Sequence, residues 1–170
     1  MRHIISVLVE NEAGALSRVA GLFSVRAYNI DSLTVAPTED SSLSRMTVVT
    51  SGNDTAIEQI IKQLQKLVDV VMVEDLTSGA HIAREILLLK VFVDTEEQKA
   101  SVKRIVDIFK ARVLDVTEST YTIEMTGGVS KSDAFLEALK DWNVAEVVRS
   151  GIIGIGRGRE TLNLDAASDI

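Results

Sequence analysis

The feature that most limits how this chain can fold is an order of apolar patterns that occurs twice. Four segments carry apolar residues at i, i+3, i+4 and i+7, which is the spacing of a helix with one buried face. Short runs rich in β-branched residues, typical of strands, lie between them. The helical segments are 16–23, 57–64, 102–109 and 135–142, and the strand segments are 4–9, 30–35, 45–50, 70–73, 86–93, 113–116, 121–125 and 144–148.

The order of these segments is strand, helix, strand, strand, helix, strand, and it is then repeated once. This is the βαββαβ plan of a ferredoxin-like domain, with two helices on one face of an antiparallel sheet. We therefore predict an α+β chain of two ferredoxin-like domains in tandem, at residues 1–77 and 86–158. A polar linker is expected at 78–85 and a flexible tail at 159–170. Since small domains bury little surface and leave sheet edges open, we also expect a homodimer.

The overall charge of the chain argues against several classes of partner. The formal net charge is −7, which disfavours binding to nucleic acid or to anionic lipid. No apolar run approaches the roughly 20 residues that span a bilayer, and the first residues do not resemble a secretory signal. The chain has no cysteine, which fits a reducing compartment. We expect a cytoplasmic protein that binds neither nucleic acid nor membrane.

The sequence offers no convincing catalytic or metal-binding group. His3 and His81 are the only histidines, and neither has a neighbour at the spacing of a metal site or a nucleophile triad. The segment "RSGIIGIGRGRE" at 149–160 is glycine-rich but lacks the spacing of a phosphate-binding loop. We expect no catalytic residue and no metal ligand on this chain, and a flexible or partner-ordered conformation for that segment.

The turn between the first strand and the first helix, "ENEAGALS", allows two interpretations. In the first, Asn11 only caps the helix and Gly14 only gives the backbone its shape. In the second, the N–H groups of Gly14, Ala15 and Leu16 are unpaired at the helix start, where the helix dipole favours a carboxylate. The absence of a Cβ at Gly14 would let a small molecule approach the main chain.

Other residues favour a zwitterionic amino acid as the ligand of this turn. The side chains of Asn11 and Asn29 offer amide donors and acceptors. Ala13, Leu16 and Ile30 would suit an aliphatic side chain. A phosphate would require a nearby cation, and the turn has none before Arg18.

Several segments of the sequence resemble those of one protein family. They are "SVLVENEAGALSRVAGLFS", "YNIDSLTVAPTED", "LSRMT", "QIIKQLQKLVDV", "GAHIARE" and "VVRSGIIGIGRG", which together span nearly the whole chain. They are similar to the small, regulatory subunit of acetohydroxyacid synthase, also called acetolactate synthase. The resemblance implies that residues 1–77 form an ACT domain, a regulatory module that binds an amino acid.

The resemblance also implies a partner and an effector. The partner is a large catalytic subunit that binds thiamine diphosphate, magnesium and FAD, and condenses two 2-oxo acids in the synthesis of branched-chain amino acids. The small subunit is expected to activate it and to confer feedback inhibition by valine, with leucine or isoleucine as alternatives. In this family, valine binds where two ACT domains meet in a dimer.

Carried onto this sequence, the resemblance places Asn11 and the Gly14–Ala15–Leu16 turn of one chain opposite Asn29 and Ile30 of the other. An alternative is a stand-alone amino-acid sensor or transcriptional regulator, although no DNA-binding element is visible. A small enzyme on a ferredoxin-like fold is disfavoured by the scarcity of histidines and the absence of cysteines.

Overall fold

The computed structural model describes residues 1–158 and residue 162. The chain divides into two compact units. The first contains Met1–Ile82 and the described residues from Ile152 onward, and the second contains Ala83–Gly151. Among the described residues, no helix has the length and apolar character to cross a membrane.

The first unit has the predicted βαββαβ order. Its sheet is antiparallel, with the strand order β2-β3-β1-β4. A short 3₁₀ turn, Leu76–Ser78, follows the last strand. The elements are β1 (Arg2–Glu10), α1 (Ala15–Val25), β2 (Ile30–Pro37), β3 (Leu43–Ser51), α2 (Asp54–Leu64) and β4 (Val70–Asp75).

Alternation along the strands builds the core of this unit. Ile5, Val7 and Val9 of β1 point to one face of the sheet and are fully buried. They pack against Phe23 of α1 and Ile60 of α2. The helices are therefore held on one face by burial of apolar surface, which contributes about 25 cal/mol per Å².

The second unit repeats the plan with its own core. Its strand order is β6-β7-β5-β8, again antiparallel. Leu87, Leu89 and Val91 alternate inward from β5 and pack against Phe135. Thr95 and Gln98 form a capping box at the start of α3. The elements are β5 (His81–Phe92), α3 (Glu96–Ile108), β6 (Arg112–Val116), β7 (Thr120–Gly127), α4 (Val129–Ala138) and β8 (Val144–Arg149). The predicted tandem α+β fold is thus confirmed.

The segment after β8 differs from the prediction. A flexible or partner-ordered conformation was expected there, and the flexible alternative is wrong for Ile153–Gly156, which forms a strand, β9. This strand belongs to the first unit, whereas residues up to 158 were predicted to belong to the second domain. Gly154 lets β9 lie close to Leu76 and Ile4, because a Cβ added to this glycine would be 2.7 Å from Leu76 Cδ1 and 3.4 Å from Ile4 Cγ2. The predicted tail at 159–170 lies outside the described residues, apart from Leu162, which is buried.

Candidate functional site

The turn between β1 and α1 is held by bonds to neighbouring loops. The N–H of Asn11 donates to Ser42 O at 2.7 Å, and its side-chain Nδ2 donates to Ser41 O at 3.0 Å. The predicted cap by Asn11 is therefore wrong, because its amide is bound to the β2–β3 loop. The residue before α1 is Gly14, which makes no side-chain cap and has a left-handed backbone, with φ +92°. The backbone role predicted for Gly14 is confirmed.

The N–H groups at the helix start are only partly open. The N–H of Ala15 donates to Glu12 O at 3.2 Å, so the prediction that it is unpaired is wrong. The described residues provide no backbone acceptor for the N–H groups of Gly14 and Leu16. These N–H groups lie at the positive end of the helix dipole, where a carboxylate is stabilised.

The side chains around the turn divide between core and surface. The side chain of Ala15 is buried against the sheet, with only 3% exposure. Ala13 and Gly14 are exposed, and Leu16 is 41% exposed. The turn can therefore offer a ligand both an apolar contact, from the exposed side chain of Leu16, and polar contacts, from the N–H groups at the helix start.

The cation that follows the turn, Arg18, lies closer to it than the sequence indicated. Arg18 lies one helical turn after Gly14, and its Nη1 would be 3.0 Å from a Cβ added to that glycine. Its Nη2 donates to Asp69 Oδ1 at 2.7 Å and its Nε donates to Asp69 Oδ2. The hydrogen bonds from Arg18 hold the pKa of Asp69 below its usual range, against the opposing effect of burial. The spacing i, i+4 between Gly14 and Arg18 is the signal that could have revealed this contact.

The remaining predicted residues lie at the far end of the same sheet. Ile30 pairs with Thr50 on β3, whereas Glu10, next to Asn11, pairs with Leu43. These partners are seven positions apart, from 43 to 50, which is roughly 23 Å at about 3.3 Å per residue. Within one chain, the two halves of the predicted amino-acid site therefore do not meet.

Asn29 is exposed at the start of β2. Its Nδ2 donates to Asp31 Oδ1 at 2.8 Å, and its backbone carbonyl accepts from Thr50 Oγ1 at 2.6 Å. β2 is an edge strand of the first sheet. Because an edge strand presents unpaired backbone groups, it is the element on which a second chain can be added.

The histidines do not form a catalytic arrangement with the described residues. His3 is buried and its Nδ1 lies 3.0 Å from Asp75 Oδ2. The Nδ1 of His81 lies 3.0 Å from Gly79 O. His3 thus contacts a residue 72 positions away in the sequence, whereas His81 contacts one only two positions away.

Comparisons with known proteins agree with this architecture. A family model described as an AHAS small subunit-like ACT domain matches residues 5–72. A second, described as the small subunit of acetolactate synthase, matches residues 84–158. These two matches correspond closely to the two βαββαβ repeats.

Individual relatives cover almost the whole chain. The acetolactate synthase isozyme 3 small subunit of Escherichia coli is 54% identical over 93% of this chain and 97% of the relative. The acetolactate synthase small subunit of Haemophilus influenzae is 53% identical over 95% of this chain and 99% of the relative. A crystal structure of the acetolactate synthase small subunit from Thermotoga maritima is 38% identical, covers 94% of this chain and 99% of that chain, and superposes with a TM-score of 0.84. This chain belongs to the acetolactate synthase small-subunit family, and its first unit is an ACT domain.

Proposed function

We propose that this chain is a regulatory subunit of acetolactate synthase that activates a large catalytic subunit and binds valine as a feedback inhibitor. Family membership supports the choice of partner enzyme. The catalytic subunit is expected to hold thiamine diphosphate, magnesium and FAD and to perform the condensation. The present chain would supply no reacting group.

One observation carries the proposed effector site. The β1–α1 turn and the start of β2 lie at opposite ends of one sheet, although both suit an amino acid. They can act together only if two chains associate. We therefore propose a homodimer in which the turn of one protomer faces Asn29 and Ile30 of its partner.

The chemistry of the two halves is complementary to valine. The open N–H of Leu16 and the helix dipole suit the carboxylate. The amide oxygen of Asn29 suits the ammonium group, and Ile30 suits the branched side chain. Because one methylene changes affinity by only about 1–3 kcal/mol, leucine and isoleucine are weaker alternatives at the same site.

Inhibition then follows from linkage between two states. Valine at the interface favours the arrangement of protomers to which it binds better. If that arrangement activates the catalytic subunit less, a coupling of about 1–3 kcal/mol gives strong inhibition.

A mixed-dimer experiment tests the proposal. Gly14→Asp removes one half of the site by steric occlusion and like-charge repulsion, and Asn29→Ala removes the other half. Each variant alone should lose saturable valine binding in calorimetry. A dimer purified with one chain of each kind keeps one intact site, and should regain valine binding at half the wild-type stoichiometry. If both variants bind normally, or if the mixed dimer binds nothing, the placement of the site is wrong.

Further controls separate the effect of charge at position 14 from that of shape, and separate valine binding from association with the large subunit. Gly14→Asn has nearly the same shape as Gly14→Asp and also tolerates a left-handed backbone, so the difference between the two measures the repulsion of the carboxylate. Acetolactate formation by the large subunit should still rise when Gly14→Asp is added, but it should no longer respond to valine. A chain that binds valine and never associates with the large subunit would instead be a stand-alone sensor.

A further inference from the structure

The first unit contains a cavity that the proposed valine site does not use. It has a volume of about 610 Å³, within the range of small-molecule pockets. Leu8, Arg45 and Thr47 line it from the sheet. Leu8 pairs with Arg45 in the β1–β3 register, so both lie on the face opposite the helices. β9 and Leu162 complete the wall.

Arg45 brings a positive charge into this cavity. Its Nη2 donates to Leu162 O at 2.8 Å. Among the described residues it forms no ion pair, whereas Arg18 and Arg112 each pair with a carboxylate. Because Arg45 is partly buried in a protein with net charge −7, its free donors favour an anion.

The acidic residues that the structure describes at the rim of the cavity do not form ion pairs with Arg45. Asp40 accepts hydrogen bonds from the Ser42 hydroxyl at 2.7 Å and from the Ser42 N–H at 2.9 Å. These two bonds hold the pKa of Asp40 below its usual range, and the bond from the Ser42 hydroxyl has the larger effect. Glu39 is exposed at the same rim. The guanidinium therefore remains available inside the cavity.

Thr47 adds a second polar group to the lining of the cavity. It is only 3% exposed, and none of the described residues forms a hydrogen bond with its hydroxyl. Its neighbour across the strands, Thr34, does have a partner, because Thr34 Oγ1 donates to Ile152 O at 3.3 Å. The hydroxyl can therefore bond to a ligand oxygen in the cavity.

The rest of the wall is apolar. Leu8, Leu43 and Leu162 form a buried cluster at the cavity, with exposures of 2%, 8% and 6%. Ile153 and Ile155 of β9 line the same space. The cavity thus combines one cation, one hydroxyl and an aliphatic surface.

We propose that this cavity is a second ligand site, which binds a small aliphatic monocarboxylate. The carboxylate contacts the guanidinium of Arg45 and the hydroxyl of Thr47, and the hydrocarbon body packs on Leu8 and Leu43. The site lies within a single chain, on the helix-free face of the ACT sheet, and does not depend on the proposed valine interface.

The test is calorimetric titration of the full chain with hexanoate and with hexanol. The two probes share a hydrocarbon body, and only hexanoate carries a charge. Hexanoate should bind saturably and at least about tenfold more tightly than hexanol, as expected for a charge-assisted hydrogen bond. Equal binding of the two probes, or no saturable binding of hexanoate up to the millimolar range, would overturn the proposal.

Two variants and one control locate the site. Arg45→Gln should weaken hexanoate binding at least about tenfold, whereas Arg104→Gln, the same charge change at an exposed residue of the second unit, should leave it unchanged. Thr47→Val should weaken binding about two- to tenfold. It should not lower the urea midpoint of unfolding, because the hydroxyl forms no hydrogen bond with any residue that the structure describes. Normal hexanoate affinity in both variants would refute the assignment.

The outcome is separable from that of the valine proposal. Gly14→Asp should still bind hexanoate with wild-type affinity. Arg45→Gln should still bind valine if the interface site exists. Loss of hexanoate binding in Gly14→Asp would instead mean that hexanoate occupies the valine site.

Discussion

Replacing Gly14 by alanine tests the backbone geometry on which the proposed effector site depends. Gly14 has φ +92° and ψ −10°, immediately before α1. An L-residue in this left-handed region costs about 1–2 kcal/mol, because its Cβ crowds the following carbonyl. The new Cβ would also lie 3.0 Å from Arg18 Nη1, a contact that the end of a flexible side chain can relieve by a small movement. We therefore expect Gly14→Ala to lower the free energy of unfolding by about 1–2 kcal/mol.

The matched control is a glycine within the helix that Gly14 precedes. Gly21 lies within α1, and a Cβ there would meet no atom within 4 Å. Alanine is favoured over glycine in a helix interior by about 0.8–1.0 kcal/mol. Gly21→Ala should therefore stabilise the unit, and the two identical substitutions should change stability in opposite directions.

The assay must report on the first unit. The only tryptophan, Trp142, lies in the second unit, so its fluorescence follows that unit. Unfolding in urea should be followed by hydrogen exchange of the β1 and α1 amides, which reports on the first unit alone, with far-UV circular dichroism of the whole chain measured in parallel. Gly14→Ala with wild-type stability, or with a gain like that of Gly21→Ala, would refute the left-handed turn.

Three further predictions concern stability. Asp69→Asn should destabilise the protein at neutral pH and much less in acid. The reason is that Arg18 lowers the pKa of Asp69 in the folded protein. The stability that this pair contributes is therefore present above the ordinary pKa near 3.8 and is lost as the pH falls through the folded pKa. Acid titration of unfolding checks this, and a constant difference between pH 7 and pH 2 would contradict it. Phe135→Ala should lower the free energy of unfolding by about 3–5 kcal/mol, because the ring is fully buried and packs edge-on against Phe109, with 5.2 Å between the ring centroids. Urea unfolding followed by Trp142 fluorescence measures this loss, and a loss under about 1 kcal/mol would contradict the packing. Thr95→Ala should cost about 1 kcal/mol by removing the capping box of α3, whereas Thr117→Ala, which removes only the hydroxyl bonds of an exposed turn, should cost less.

Much of the fold could be predicted because helices and strands are specified by local periodicity. The helix spacing of Ile57, Ile60 and Leu64 predicted α2, and all three side chains are buried in the core. Alternation in Tyr121, Ile123 and Met125 likewise marked β7. The family resemblance added the ACT domain, which the comparisons confirm.

The sequence was less informative where a short glycine-rich segment gains its structure from distant residues. Ile153–Gly156 has no periodicity long enough to predict a strand, and its Gly154 lies against Leu76 and Ile4, far away in the sequence. The same holds for Arg18, whose partner Asp69 is 51 positions away. Pairing of this kind depends on which loops the sheet brings together.

The candidate site shows the same division. By itself, the sequence determined which residues suit an amino acid, because glycine, amide and small apolar side chains carry that chemistry wherever they lie. Only the tertiary structure decided that Asn11 binds the β2–β3 loop, that the N–H of Ala15 is already paired, and that the turn and Asn29 lie at opposite ends of the sheet. The physical reason is that side-chain chemistry is a local property, whereas hydrogen-bond pairing and strand register depend on residues that meet only after folding.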